Sequence, residues 1–416
     1  MIKAADAVMI GGGPAGLFCA VHAAVPGHRV MLLEKNAMPG AKLLLTGSGQ
    51  CNITHAGTVS EFLSHYGKNG RFLRAALHGF SNDDLIQFFS GRGLAMAAEE
   101  NGKVFPETRA SADVLSVLIR ECREKGVELR CAEQVEKIVQ DRQGFIVQTG
   151  KTVYYTSAVV ITTGGMSYPV TGSSGDGYRF AAALGQPLTE TAPALTPLRI
   201  SSFPFAALSG ISFESLPFSV WRDGKKVADH SGDLLFTHLG LSGPGILDAS
   251  RDIRAGDGIR LSFVGAMRRE EFAQDLARRV QENPGWQVRT ILAAYPIPER
   301  LNRKLLTLSG IPDDLTCAHF SAAQRSKLVT NCTEFPLTVA ALGGYPVAMA
   351  TRGGVALEGV NQKTMESTIV PGLFFAGEVL DIDGDTGGYN LQAAFSTGYL
   401  AALGVRKRWE SGGHPP

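Results

Sequence analysis

No C-x-x-C pair occurs anywhere in the chain: Cys19, Cys51, Cys122, Cys131, Cys317 and Cys332 are scattered, which argues against both a dithiol redox centre and a zinc site. Each reads as a reduced thiol and a small buried residue. No stretch stays apolar long enough to span a membrane, and the opening MIKAADAVMIGGG lacks the apolar core and cleavage site of a secretory signal. A cytoplasmic location and no membrane partner are expected. Net charge is nearly absent at +1, so no global field draws the protein onto nucleic acid. A small-molecule substrate is therefore expected and a nucleic-acid partner is not, while the oligomeric state stays open. Charged residues make up only 19% against 44% apolar, the balance of a folded globular protein, and 416 residues leave room for two or three domains. Only the tail ESGGHPP is too polar and too rich in glycine and proline to pack; disorder is expected there. There is no internal repeat.

What is present begins with a strand, a glycine turn and a helix. The run Asp6 to Ile10 is apolar and stops at GGGPAG, and no strong breaker follows until Pro26 and Gly27. A second β-rich run, Arg29 to Leu33, ends in Glu34 and completes a β-α-β unit of a parallel sheet. Helices are predicted at about 83–92 and 112–125, followed by alternating strands in GVELRCAEQVEKIVQD and FIVQTG. Ser157 to Thr163 is β-branched and ends at Gly164-Gly165, the pattern of a buried parallel strand whose following loop faces a ligand.

From about Leu195 the text becomes aromatic and punctuated by Gly, Ser and Pro, with an antiparallel flavour. WRDGKKV signals a hairpin turning at Asp223-Gly224. Residues 267 to 309 carry helical periodicity with mixed charge and read as a small helical insert. After about Phe335 strand-like text returns; Leu373 to Ala376 restores the buried-strand pattern before a last helix around Ala393 to Ala402.

Gly11-x-Gly13-x-x-Gly16 lies between strand and helix, where glycine serves the tight turn, the close approach to pyrophosphate and helix–strand packing. The helix start, which Pro14 opens without an N–H of its own and Ala15 continues, presents the N–H groups from Ala15 onward to an anion. Glu34 stands near the roughly 20-residue spacing at which a carboxylate accepts from ribose hydroxyls. At the far end, TIVPGLFFAGE puts Gly377 and Glu378 directly after a strand. There a carboxylate can accept from the ribityl hydroxyls of a flavin, which an NAD site alone does not require. FAD is the cofactor indicated.

The chain is similar to the YhiN/BaiN-like flavoproteins, the aminoacetone oxidase family of FAD-binding enzymes. The resemblance spans nearly the whole length and rests on GGGPAG, GAKLLLTGSGQCNIT (Gly40 to Thr54), TTGGMSYPVTGSSGDGY (Thr162 to Tyr178), FTHLGLSGPGIL (Phe236 to Leu247) and KTMESTIVPGLFFAGEVLDIDGDTGGYNLQAAFSTG (Lys363 to Gly398). It implies an α/β architecture in three parts: a discontinuous Rossmann-like FAD-binding domain (1–194 and 340–416), a β-barrel-like domain (195–266 and 330–339) and a helical insert (267–329). It further implies that the loop Gly47 to Asn52 lies beside the isoalloxazine ring, and that Gly387 to Gln392 opens the last helix toward it, stabilising negative charge on the reduced flavin. Lys35, Lys42, Val135, Thr163, Gly164, Gly388, Asn390 and Leu391 complete the expected cofactor-binding set. Gln50 departs from the family pattern, which usually has Arg, and puts a cation beside the ring in doubt.

Cys51, Asn52, Tyr168 and Tyr389 are the catalytic candidates. Each has a plainer reading: packing for Cys51, turn formation for Asn52, cofactor cover for the two tyrosines. His238 could face substrate or hold a loop by hydrogen bonds. Asp381, Asp383 and Asp385 imitate a calcium loop without its distal Glu, so no metal is expected. The basic residues of the insert, interleaved with acids, read as a solvated amphipathic surface. The reaction indicated is hydride transfer between flavin N5 and a small organic substrate. The resemblance leaves two variants, an amine oxidase and an NAD(P)H-dependent enone reductase. With no second G-x-G-x-x-G after a strand, NAD(P)H would dock only transiently as electron donor. The alternative is a flavin-binding RNA-modifying or redox-responsive interaction protein.

Overall fold

The computed structural model describes residues 2–141 and 143–411; the last five residues of the tail, 412–416, lie outside the described residues. The chain divides into two compact units, Met1–Ala194 with Tyr345–Pro416, and Leu195–Gly344.

The first unit is built on a seven-stranded sheet. In space, its strands run Glu128–Arg130, Val30–Leu33, Ile2–Ile10, Val153–Ile161, Gly144–Thr149 and Val135–Asp141, and Leu373–Phe375 pairs with the far half of Val153–Ile161. The C-terminal halves of Ile2–Ile10 and Val153–Ile161, from Ala7 and Ala158 onward, and the whole of Leu373–Phe375 are apolar and buried on both faces, the composition a parallel core requires. Ile10 pairs with Leu33 and with Ile161, and Ile161 with Phe375, all in parallel. Four chain segments distant in sequence therefore end at one edge, and the loops after residues 10, 33, 161 and 375 open side by side. That is where an open α/β sheet binds its ligand.

The last helix, predicted around 393–402, runs from Tyr389 to Glu410. Its glycines do not break it because they are contact points. A Cβ on Gly398 would stand 2.6 Å from the Ala15 carbonyl oxygen, and one on Gly404 would stand 2.4 Å from that of Thr364. The closest passage with the first helix, Pro14–Ala23, needs the missing side chain.

The second unit holds a closed six-stranded antiparallel barrel, with strands Leu198–Ile200, Gly240–Ser242, Lys225–Phe236, Ser212–Arg222, Gly258–Leu261 and Phe335–Leu342 in that order. The hairpin turns where the sequence places it: Arg222 pairs with Lys225, with Asp223 at φ 51° and Gly224 at φ 76°, the left-handed pair a two-residue turn demands. Helices Arg269–Glu282, Val288–Leu292, Glu299–Leu308 and Ala322–Thr333 share one core with the barrel, including Phe205, Phe236, Phe263, Phe272 and Leu305. The helical part thus ends at Thr333 rather than 329, and the barrel strand runs on to Leu342 rather than 339. The reason is that Ala341 and Leu342 still pair with Arg199 and Leu198, and Leu342 packs against the barrel core.

Candidate functional site

The glycine turn after Ile10 is held by two approaches that no side chain would allow. A Cβ on Gly11, at φ 108°, would sit 2.6 Å from the Thr162 carbonyl oxygen, and one on Gly16 would sit 2.0 Å from that of Gly11. Gly13 differs. A Cβ there meets nothing within 4 Å, and Gly13 lines an open cleft. It caps the first helix without any side-chain hydrogen bond, with Pro14 following, so the first-turn N–H groups are left for a ligand. The space that a side chain at 13 would take is the cradle an anionic pyrophosphate needs, and on this test the residues fit FAD.

Glu34, 7% exposed, accepts from the Gly12 N–H at 2.7 Å and from the Asn36 N–H at 2.8 Å. Each oxygen keeps a lone pair for a ribose hydroxyl. Farther along, Lys42 Nζ donates to Glu378 Oε2 at 2.6 Å and to Ser167 Oγ at 2.6 Å. Glu378 Oε1 accepts from Ser167 Oγ at 2.8 Å and from the Thr351 N–H at 2.9 Å. About four lone-pair sites serve a carboxylate, so Glu378 retains one for a polyol and also holds a lysine at the cleft.

The cleft, with about 1210 Å³ of empty space that includes its opening to solvent, lies wholly within the first unit. Gly11, Gly13, Pro14, Ala15, Glu34, Lys35, Lys42, Val135, Thr163, Gly164, Gly377, Glu378, Asn390 and Leu391 all line it. Gly16 and Gly388 do not. They are close-approach glycines, the second with a would-be Cβ 2.4 Å from the Thr54 carbonyl oxygen. Asn390 reaches the wall with its side chain already committed: its oxygen accepts from the Gly384 N–H at 2.8 Å, and its nitrogen donates to the Gly384 carbonyl at 2.9 Å. It braces the loop before the last helix. That helix starts at Gly388 with no side-chain cap and no acid in its first turn, so its positive end is not neutralised locally.

The four catalytic candidates are not among the lining residues. Cys51 is fully buried, and burial pushes its thiol up to about 11 against the opposing hydrogen bond with Thr46. At neutral pH it is a thiol, not a nucleophilic thiolate. Cys51→Ala is therefore expected to change turnover by less than about twofold, and Cys51 should resist alkylation at pH 8 in the folded enzyme; a thiolate role would show as rapid inactivation. Asn52 keeps a buried Oδ1 without a hydrogen-bond partner. Tyr168, at φ 51°, opens a short turn and donates its N–H to the Tyr345 carbonyl at 2.9 Å. Tyr389 is buried between two imidazoles, stacked 4.0 Å from His65 and 5.1 Å from His55. Gln50 is exposed and accepts from Arg109 at 3.4 Å.

His238 lies on an exposed turn of the second unit, and that turn is held by Thr237, which bonds the Gly240 carbonyl and accepts from the Leu239 and Gly240 N–H groups, rather than by the histidine. Asp381 accepts from the Gly353 N–H and Asp385 pairs with His65, while no group of three metal-binding side chains forms among the described residues. The reading of residues missed Gly12, Asn36, Thr46, Thr171, Gly172, Ser173, Asp176 and Met349, all on the cleft wall. The signal for several was in TGSSGDG, a second glycine-rich loop after a buried strand.

Residues 5–404 match the model of the HI0933-like protein Rossmann domain. The chain is 30% identical over 397 residues to a ribosomal RNA dihydrouridine synthase of Escherichia coli, covering 95% of this chain and 97% of that protein. It is 32% identical over 416 residues to a protein of the same description in Haemophilus influenzae, covering 98% and 100%. It is also 30% identical over 409 residues to a 3-dehydro-bile acid delta(4,6)-reductase of Clostridium scindens, covering 96% and 98%. Among solved structures, a 3-ketosteroid-delta4-(5alpha)-dehydrogenase from Rhodococcus jostii superposes with a TM-score of 0.52 at 16% identity, over 97% of each chain, which speaks for the fold alone.

Proposed function

Because this chain belongs to the HI0933-like Rossmann family and is an FAD-dependent oxidoreductase, we propose that it reduces a carbon–carbon double bond conjugated to a carbonyl, with a uridine of ribosomal RNA as substrate. The redox reading is carried by one observation: an uncapped helix start, a ribose-accepting Glu34 and the polyol-accepting Glu378 share one cleft drawn from both ends of the chain. The substrate class is supported by the relatives. Their names describe dissimilar molecules and one chemistry, the addition of hydrogen across an unsaturated bond. In uridine that bond is C5=C6, conjugated to the C4 carbonyl; a hydride adds at C6 and a proton at C5.

FAD held in this cleft would supply hydride chemistry, with NAD(P)H as a transiently docking electron donor. The protein's part is to hold and polarise. The glycine turn and first helix bind the pyrophosphate, Glu34 orients the ribose, and Lys42 with Glu378 fixes the middle of the cleft. The positive end of the last helix favours negative charge at the wall it reaches through Asn390 and Leu391. A net charge of +1 does not oppose an RNA substrate, since binding responds to local cations. Arg289, Arg300, Lys304, Arg325 and Lys327 of the helical part have no carboxylate partner among the described residues, whereas Arg278, Arg279 and Arg303 are paired.

The test is rapid mixing of FAD-loaded protein with NADPH or NADH, followed by addition of unmodified ribosomal RNA transcripts. Bleaching by a nicotinamide and a gain of two hydrogens on a uridine, read by mass spectrometry, is the expected result. Reoxidation by a steroid enone but not by RNA would move the substrate to a small molecule. Bleaching by aminoacetone alone would replace the reductase reading with amine oxidation.

A further inference from the structure

One end of the cleft is crossed by side chains that join two walls far apart in sequence. Lys35, directly after the ribose-accepting Glu34, sends Nζ to Ser174 Oγ at 2.6 Å and to Asp176 Oδ2 at 2.7 Å. Ser174 Oγ in turn donates to Asp176 Oδ2 at 2.9 Å, and Asn36 Nδ2 donates to the Thr171 carbonyl at 3.0 Å. Lys35, Asn36, Thr171, Gly172, Ser173 and Asp176 all line the cleft. The crossing segment is shaped for this approach. Tyr168, Gly172 and Gly175 take left-handed φ values of 51°, 96° and 80°, and a Cβ on Gly172 would stand 2.8 Å from Asn36 Nδ2 and 3.0 Å from Lys35 Cε. A side chain at 172 would push the two walls apart.

Glu34 marks the adenosine end, since the carboxylate after the second strand is the ribose acceptor of this fold. We propose that residues 169–176 form a clasp over the adenosine end of bound FAD, latched by Lys35, and that opening the latch sets how fast the cofactor leaves. Lys35 acts here as a positioning residue: its charge is spent on Asp176 rather than on the cofactor. The flanking Asn36–Thr171 bond keeps the clasp in register when the ion pair opens. Burial raises the Asp176 carboxyl, but hydrogen bonds from Lys35 and Ser174 lower it by more, to below its ordinary 3.8. A depressed carboxyl holds its partner above that range and loses it as pH falls through the folded value, so the latch is complete at neutral pH.

The inference rests on FAD as the cofactor, and the experiment reads cofactor release, not turnover. FAD-loaded wild type, Lys35→Ala, Asp176→Asn and the double variant are diluted far enough that released FAD does not rebind, and release is followed by the change in flavin fluorescence on leaving the protein. The latch predicts about tenfold faster release for each single variant, the scale of a lost charge-assisted bond. The double variant should be no faster than either single, because both remove the same contact. Ser174→Ala, which keeps both charges, should release about twofold to threefold faster and covers the case of a misfolded Lys35 variant. If Lys35 served the pyrophosphate directly, Asp176→Asn would free its charge and slow release, which overturns the latch. Release within twofold of wild type in all variants also overturns it. A wild-type chain that takes up no FAD would remove the cofactor itself, and the latch with it.

Discussion

Gly16→Ala should purify colourless and melt early, whereas Gly13→Ala should melt like wild-type apoprotein and still bind FAD more weakly. The two glycines lie three residues apart in one turn, but their missing side chains do different work. At Gly16 a Cβ would stand 2.0 Å from the Gly11 carbonyl oxygen and 2.6 Å from Thr162 Oγ1, so the first helix must move off the sheet. Forced overpacking of this kind costs about 3 kcal/mol. At Gly13 nothing lies within 4 Å, so a methyl group disturbs no protein atom and enters only the cleft. Its effect should appear as a loss of FAD affinity of at least about tenfold, roughly 1.4 kcal/mol, with the apoprotein melting temperature unmoved. Differential scanning fluorimetry with and without FAD separates the two. Wild-type FAD affinity in Gly13→Ala would show that the pyrophosphate lies elsewhere.

Glu378→Ala carries the second large effect. The carboxylate is the meeting point of Lys42, Ser167 and the Thr351 N–H, three groups brought from separate parts of the chain. Both side chains of the ion pair are only 20 to 23% exposed, so screening by solvent is incomplete. Removal leaves a half-buried ammonium without its carboxylate and a backbone N–H without its acceptor, at a cost of about 3 kcal/mol. Lower apoprotein stability together with weaker FAD retention is expected. Glu378→Gln, which keeps an acceptor for Ser167 or the Thr351 N–H but not the charge, should recover about half of the loss. If alanine at 378 melted and bound FAD as wild type does, the Lys42–Glu378 pair would have no part in shaping the cleft.

Much of the cleft was legible in the linear text because its chemistry is local. A turn that must pass close to pyrophosphate shows as Gly11, Gly13 and Gly16, and a ribose acceptor shows as Glu34 at the end of a β-rich run. Those positions depend only on the strand and helix that flank them. Lys35 follows the ribose-accepting Glu34 and Asp176 lies in the glycine-rich stretch Thr162 to Tyr178, yet their pairing over 141 positions has no trace in spacing or periodicity. Cys51 and Tyr389 stand beside glycine-rich loops, but whether a side chain turns toward the cleft or into the core depends on what packs behind it. Here the core claims both, the thiol by complete burial and the phenol ring between His55 and His65. The last helix is longer than its sequence pattern indicates, from Tyr389 to Glu410, and Gly398 and Gly404, which weaken a helix in isolation, are kept in it by close contact with the Ala15 and Thr364 carbonyl oxygens.

The amino-acid order by itself determined the strand–turn–helix that receives a dinucleotide, the change of character near residue 195 and the hairpin at Asp223-Gly224. Each follows from residues within one or two turns of one another, where backbone preference and hydrophobic period act directly. Tertiary structure alone decided which loops share the sheet edge, that Glu378 secures Lys42, and that Lys35 reaches across to Asp176. Those outcomes depend on parallel pairing between strands separated by hundreds of residues. Such pairing is set by burial of whole faces against one another, and no local run of sequence records it.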